Sequence, residues 1–431
     1  MAHSGCSAAR AMGLVLLILG ACTLGAVAAP PYGGYIFCAS GPTGYLLDPD
    51  GVTVHTWHAS GSAQTCAYLL EDGSALFPIQ NSQCTQPHHD GAYPSGRFQK
   101  IAWDGTLLWD YRFCDATARA GYDVGPMPNG NILIPTDGYN VAKIFEVQPT
   151  GSASGTIVWQ CSLPDSLTGS MTYMNAVNYN PELDMILIDM QEPQRKCVVI
   201  DHSVPGGRIV RTYRVSGTGR VHAATWAQRY FLGTDTEMPD IDETAMRINN
   251  LLVVHNGGDR VAEFNRATGV MTTIPFNFQD HEGSAQRLPN GNTLVVRGGG
   301  TTITELDDTG AVKRTLTAPG LILRAYCYGP AYAGLSELFP TDVAVEPATG
   351  TSAALRFVYD RAADRGRVFL AGAHEAPLTV QVLSVDGRRM SALRTGGAEA
   401  TFSTAGLPTG QYYVKVTCPG ATYHTKFVKV R

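Results

Sequence analysis

Charge is scarce in this chain of 431 residues: Asp, Glu, Lys and Arg together make up 16% of it. Lys and Arg form no run and the formal net charge is −5, so nothing calls for nucleic acid as a partner. No CxxC pair occurs, which removes the usual zinc and haem frameworks. No GxSxG elbow supports a hydrolase triad, and no DxDxDG spacing makes a calcium loop of the acidic stretch Asp235, Glu237, Asp240, Asp242 and Glu243. His88-His89-Asp90 places three potential ligands together, but adjacent strand residues face opposite ways, so the segment reads as an exposed polar loop. No metal and no cofactor is expected. Beyond the first thirty residues no stretch is apolar enough to span a bilayer.

Those first residues do carry an uncharged apolar run, from Met12 to Ala29. Ala26-Val27-Ala28 has the small-x-small pattern of a signal-peptidase site, so residues 1–28 read as a signal peptide cleaved before Ala29. An uncleaved anchor is the alternative, and Leu19-Gly20-Ala21-Cys22 has the shape of a lipoprotein site with Cys22 as the lipidated residue. Of ten cysteines, eight follow the leader: Cys38, Cys66, Cys84, Cys114, Cys161, Cys197, Cys327 and Cys418. In an exported chain that even number permits disulfides, whose pairing the spacing does not reveal.

Glycine (47) and proline (25) are plentiful, which suits many short strands and tight turns. Two hairpin forms recur. One is apolar–PNGN–apolar, at Met127 to Leu133 and Leu288 to Leu294, with a weaker copy from Leu70 to Leu76. The other is apolar–xDG–apolar, often ending in Trp: Leu47 to Trp57, Trp103 to Trp109, Leu306 onward and, more loosely, Pro149 to Trp159. Asn-Gly and Asp-Gly accept the positive φ angles of two-residue hairpin turns, so each copy predicts a tight turn. The forms alternate, and two hairpins make a four-stranded unit of roughly 40 to 50 residues, the size of a propeller blade. Centres fall near residues 45, 90, 140, 190, 250 and 300. The first unit has only its second hairpin, and the strand-like Arg324-Ala325-Tyr326-Cys327-Tyr328 is placed to return, complete it and close the ring. A β-sandwich or a solenoid of hairpins is the competing arrangement.

The pattern stops near Leu335, and residues 336–354, rich in Pro, Thr, Ala and Gly, read as a linker. From Leu355 to Arg431 come short alternating runs such as Leu378 to Leu383 and Tyr412 to Val416, the pattern of a small β-sandwich. The fold class is therefore all-β: a six-bladed β-propeller over residues 29–335, give or take one blade, then a C-terminal β-sandwich over residues 355–431.

Two resemblances attach to these segments. The C-terminal piece resembles the type A sorting domain of the type IX secretion system. The matching elements are Val385-Asp386-Gly387-Arg388, Leu407-Pro408-Thr409-Gly410-Gln411-Tyr412-Tyr413-Val414-Lys415-Val416 and the closing Thr425 to Val430. That implies the type IX machinery as partner, passage through the periplasm and a secreted or cell-surface destination. The body, over about residues 34–335, resembles the arylsulfate sulfotransferases, six-bladed propellers that move sulfate between phenols through a sulfohistidine. It does so in Tyr45 to Asp48 with Val54 to Trp57, Asn178 to Asp184, Val199 to Ser203, Ser284 to Leu294, and Arg324 to Tyr326 with Tyr332 to Leu335.

The family's nucleophile lies in an H-x-A-x-W setting, which His222-Ala223-Ala224-Thr225-Trp226 matches. The resemblance thus implies His222 as the catalytic residue. Elsewhere the chain departs from the pattern. In Gly121-Tyr122-Asp123-Val124 a Tyr stands where the family has His, and in Tyr173-Met174-Asn175 a second Tyr replaces a second His. The family's Arg is replaced in Met190-Gln191-Glu192, with Arg195 the available stand-in. Tyr122, Tyr173 and Arg195 are the expected funnel-lining residues. A neutral imidazole attacks sulfur only if cationic and hydrogen-bonding groups hold the charge that builds on the oxygens, and Tyr brings no charge near neutral pH. Two functions follow: sulfuryl transfer between phenols, or a catalytically degenerate propeller that binds a small phenolic or sulfated ligand or serves a structural role.

Overall fold

Six turns of one kind space the strands. In the computed structural model of the chain, Gly51, Gly73, Gly105, Gly130, Gly291 and Gly310 each donate their amide to the carbonyl three residues back. Their φ angles lie between +78° and +86°. Only the glycine takes the left-handed position, because an Asn or Asp one to three residues earlier caps the turn instead: Asn129 Oδ1 accepts from the Asn131 amide, Asn290 Oδ1 from that of Asn292 and Asp307 Oδ1 from that of Ala311. The turns are thus three-residue loops with a glycine bulge, one residue longer than the expected two-residue form.

The structure describes residues 31–61, 66–80, 96–113, 119–137, 142–168, 173–191, 195–216, 220–228, 247–255, 258–279, 282–329, 332–338, 355–360, 364–370, 378–384, 389–397, 399–408, 410–418 and 421–429. The leader, His88-His89-Asp90, the acidic stretch and most of the expected linker lie outside them. Among the described residues no helix is long and apolar enough to cross a membrane.

Six antiparallel sheets follow one another. Blade 1 holds Tyr35–Ser40, Thr43–Leu47 and Thr53–His58, and Ala325–Tyr328 returns from the far end of the body as its innermost strand. Blade 2 is Tyr68–Leu69, Ala75–Gln80, Gly96–Ile101 and Leu107–Arg112. Blade 3 begins with the short strands Arg119–Ala120 and Gly125–Pro126, both on Ile132–Asp137, and continues with Lys143–Pro149 and Gly155–Ser162. Blade 4 is Val177–Asn180, Met185–Met190, Lys196–Asp201 and Arg208–Arg214. Blade 5 is Val221–Trp226, Leu251–His255, Arg260–Phe264 and Met271–Pro275. Blade 6 is Gly283–Arg287, Thr293–Arg297, Gly300–Leu306 and Val312–Ile322.

Apolar clusters bridge neighbouring blades all the way round. Trp57, Phe77 and Phe145 join blades 1 to 3, and Ile144 and Ile188 join 3 to 4. Val199 and Trp226 join 4 to 5, Val254 and Val295 join 5 to 6, and Ile322 and Cys327 join 6 back to 1. The series ends where it began, so the sheets close a six-bladed propeller with blade 4 opposite blade 1. Each fully buried large side chain contributes about 2–3 kcal/mol of transfer free energy to these seams.

Polar bonds stitch the same seams. On the outermost strands a side chain donates to a carbonyl in the next blade's outer turn. His55 Nε2 lies 2.9 Å from Trp103 O, Trp109 Nε1 2.9 Å from Ser154 O and Trp159 Nε1 3.2 Å from Val204 O. Arg211 reaches Arg266 O, and Arg314 reaches Pro49 O across the 6–1 seam. This gives two of the hairpin-ending Trp residues, Trp109 and Trp159, a reason: their indole N–H reaches the neighbouring turn, a part His55 takes in blade 1. Further in, the second Asn of each PNGN turn, Asn131 or Asn292, donates to a buried Glu, Glu146 or Glu305. Glu146 in turn meets His202 Nε2 of blade 4 at 2.8 Å, while His202 Nδ1 lies 2.7 Å from Asp184. Glu263 plays the same part for Arg287 of blade 6.

The C-terminal segment forms two sheets, one of Leu355–Asp360, Arg365–Leu370 and Glu399–Ser403, the other of Arg389–Thr395, Leu378–Ser384, Gly410–Cys418 and Ala421–Lys429. Val368 and Phe402 of the first pack with Val380, Val414 and Phe427 of the second, so this is a β-sandwich. Tyr412 explains its own motif: the ring stacks on Phe427 and the hydroxyl donates to Pro408 O at 2.8 Å.

The cysteines correct an expectation. Cys38, Cys66, Cys161, Cys197 and Cys327 are buried free thiols, so no disulfide forms among the described residues. Cys38 and Cys327 sit on paired strands but out of register, opposite Ala325 and Ile36 respectively. Cys161 and Cys197 belong to different seams.

Candidate functional site

In a four-stranded antiparallel blade the chain enters every innermost strand from the same face, and the PNGN-type turns close the other. The entry residues therefore gather around the propeller axis. They are Cys66 and Tyr68 of blade 2, Asp123 of blade 3, Asn175 of blade 4, His222 of blade 5, Glu282 of blade 6 and Arg324 of blade 1.

Arg324 organises the cluster. It is 4% exposed, and its Nη1 lies 2.8 Å from Asp123 Oδ2. Its Nη2 donates to the Asn175 carbonyl and, at 3.4 Å, to that of His222. One guanidinium thus reaches from blade 1 to blades 3, 4 and 5. Asp123 is equally engaged: Oδ1 accepts from Tyr68 Oη at 2.9 Å and Oδ2 from the Val177 amide at 3.0 Å. Tyr68 also stacks on Tyr326, their hydroxyls 3.1 Å apart. Burial first, then the Asp123 charge, hold the Tyr68 hydroxyl well above its ordinary pKa, and burial pushes the Cys66 thiol up to about 12.

His222 lies in a bulge. Val221 pairs with His255 and Ala223 with Val254, leaving His222 as the extra residue of the strand. Bulges re-aim side chains in this way and are common beside active sites. The rest of the motif anchors the strand on both flanks. Trp226 gives two hydrogen bonds to blade 4, its amide to Asn178 Oδ1 at 3.0 Å and its indole to Asn178 O at 3.3 Å. Thr225 Oγ1 donates to Ala285 O of blade 6 at 2.6 Å. His222 itself is 4% exposed, and neither ring nitrogen has a partner among the described residues. Burial, reinforced by the charges of Arg220 and Arg324, lowers its pKa to about 4, so the imidazole is neutral at pH 7.

Two more buried groups share that condition. Asn175, 3% exposed, has no partner for its side-chain nitrogen or oxygen. Asp189, fully buried on the second strand of blade 4, accepts from the Ala176 amide with Oδ1 and has no partner at Oδ2. Burial raises its pKa to about 8 against the pull of the Arg324 charge. A buried polar atom without a partner costs about 1–3 kcal/mol. Among the described residues, five such atoms belong to three residues that Arg324 touches through a backbone carbonyl or acts on through its charge.

The expected funnel residues fall on the same entry face. Tyr122 is half-buried immediately before Asp123, and Tyr173 is half-buried two residues before Asn175. Arg195, at φ +47°, closes the connection between the second and third strands of blade 4, its amide donating to Gln191 O. The buried cation whose guanidinium reaches the His222 backbone is nonetheless Arg324, and the exposed Arg220 adds its charge to the imidazole. Residue order conceals Arg324, because it and Asp123 become neighbours only when the ring closes. The discoverable signal was positional: a charged residue just ahead of an innermost strand in several blades.

No protein-family model matches the chain, and no curated protein matches it. Solved structures resemble it in chain path. A protein of unknown function from Bacteroides caccae is 15% identical, covering 68% of this chain and 99% of its own, with a TM-score of 0.47. Virginiamycin B lyase from Staphylococcus aureus is 12% identical, covering 84% of this chain and 93% of its own, with a TM-score of 0.38. An immunoglobulin-like β-sandwich protein from Bacteroides vulgatus is 16% identical, covering 20% of this chain and 96% of its own, with a TM-score of 0.18.

Proposed function

We propose that this chain is an exported propeller that binds a small hydroxyl-bearing ligand, such as a phenol, at the axial site around His222. The observation that carries the reading is the His222 imidazole, neutral and 4% exposed, with both nitrogens unpartnered among the described residues. A neutral imidazole offers one donor and one acceptor, which a hydroxyl matches. In this reading the leader and the C-terminal sandwich, which resembles a type IX sorting domain, carry the propeller through the periplasm to the cell surface. The resemblance to arylsulfate sulfotransferases supports the place of the site more than its chemistry. Sulfuryl transfer needs a free positive field, and the buried cation beside His222, Arg324, is already matched by Asp123, while the charge of Arg220 sits at the solvent-exposed surface.

Slow sulfuryl transfer remains the second reading, favoured by the neutral state of His222, which is the state a nucleophile needs. Calorimetric titration with phenol tests the first reading: binding is expected in the native protein and lost in His222→Ala. Equal binding by both proteins would overturn the axial assignment. Release of a chromogenic phenol from its sulfate ester, with and without a phenolic acceptor, tests the second. Robust turnover that vanishes in His222→Ala would establish the enzyme.

A further inference from the structure

We infer that the axial site selects an uncharged hydroxyl-bearing ligand over an anionic one, because among the described residues its deeply buried full charges are already spent on each other. The inference rests on the axial site being where the ligand binds.

The two full charges come first. Arg324 gives Nη1 to Asp123 and Nη2 to the carbonyls of Asn175 and His222. Asp123 takes Tyr68 on one oxygen and Val177 and Arg324 on the other. An anion seeking the guanidinium must displace a carboxylate that holds it at 2.8 Å where water is excluded, and strand Asp123 as an unpaired buried charge. The other charges acting there are Arg220 on His222 and Glu282 on Cys66, one of each sign.

What remains open is uncharged. Among the described residues the site's atoms without a partner include His222 Nδ1 and Nε2, Asn175 Nδ2 and Oδ1, and Asp189 Oδ2. An imidazole and a carboxamide each present donor and acceptor together, and burial favours the protonated carboxyl of Asp189, which adds a donor. A hydroxyl, which both gives and accepts, satisfies such a mixture. A sulfate or carboxylate only accepts, and would leave the acceptors among these atoms unmet. The stacked Tyr68–Tyr326 pair beside the ion pair supplies an aromatic wall.

Phenol and phenyl sulfate differ only by the charged group and make the test. Titration of each into the native protein at pH 7 should show phenol binding at least tenfold tighter. Asp123→Asn removes the counter-charge from Arg324, and in that variant phenyl sulfate should gain at least tenfold and overtake phenol. The native ranking decides the matter even if Asp123→Asn fails to fold. If phenyl sulfate binds the native protein as tightly as phenol, and both lose affinity in His222→Ala, the selectivity inference is wrong while the axial site stands. If neither compound binds in a manner that depends on His222, the site assignment falls, and this inference with it.

Discussion

Replacing His202 by Gln tests how the blades are held together, because this imidazole bridges two carboxylates across the seam between blades 3 and 4. Its Nε2 meets Glu146 at 2.8 Å and its Nδ1 meets Asp184 at 2.7 Å. The Glu146 bond, then the Asp184 bond, raise the His202 pKa above its ordinary 6.5 against the effect of burial. A group whose pKa is raised on folding stabilises the fold fully below its unfolded value, and that stability is lost as pH rises through the folded value. Glu146 is nearly buried, so its bond to a charged imidazole is worth about 1.5–3 kcal/mol. Asp184 is 43% exposed, so solvent screening holds its share to about 0.5 kcal/mol. His202→Gln should therefore cost about 2 kcal/mol at pH 6, about 3 °C in melting temperature for a body of roughly 300 residues. As pH rises through the folded value the imidazole loses its charge and keeps one donor for two acceptors, so the gap should shrink toward pH 9. Arg287 holds the equivalent Glu263 between blades 5 and 6 with a guanidinium that does not titrate in this range, so Arg287→Gln should cost the same at both pH values. Melting curves of the three proteins at pH 6, 7.5 and 9 provide the measurement. A His202→Gln gap that stays constant or widens with pH would refute the reasoning.

Three further outcomes are expected. Gly130→Ala should lower stability by about 1 kcal/mol through backbone strain alone, since φ is +82° and an added Cβ meets nothing within 4 Å; an unmoved urea midpoint would contradict this. Removing residues 355–431 should leave the propeller's melting transition in place, because its buried clusters contain no residue of the sandwich; a drop of several degrees would show a shared core. Alkylation in denaturant without reductant, followed by peptide mapping, should label Cys38, Cys66, Cys161, Cys197 and Cys327, and a protected pair among them would overturn the free-thiol assignment.

The hairpins were legible because their causes are local. A glycine at positive φ after Asn or Asp writes its turn into three or four adjacent letters, and the alternation of two turn types counted out six blades. The returning strand Ala325–Tyr328 could be read because one unit lacked an inner hairpin. The loop length was read one residue short, since a side-chain cap by Asn129 competes with the left-handed backbone that Asn also tolerates. His222 was visible through its motif, whose Trp226 and Thr225 now have a structural reason. Arg324, Asn175 and Asp189 were not visible as a site. Each is an ordinary polar residue in its own segment, and only ring closure brings four blades to one guanidinium.

That closure imposes an order on assembly. Tyr35–Ser40 is synthesised first and pairs on its inner edge with Ala325–Tyr328, made last of all the propeller strands. In a chain that emerges from its amino end, this apolar segment, Tyr-Ile-Phe-Cys-Ala-Ser, waits with an open hydrogen-bonding edge until the whole body has followed. Arg324 arrives with the same strand, so the axial ion pair cannot form before the ring shuts. The axial cluster is accordingly absent from every partly emerged form of the chain, and the ligand binding proposed for it would arrive in a single final step together with the clasp.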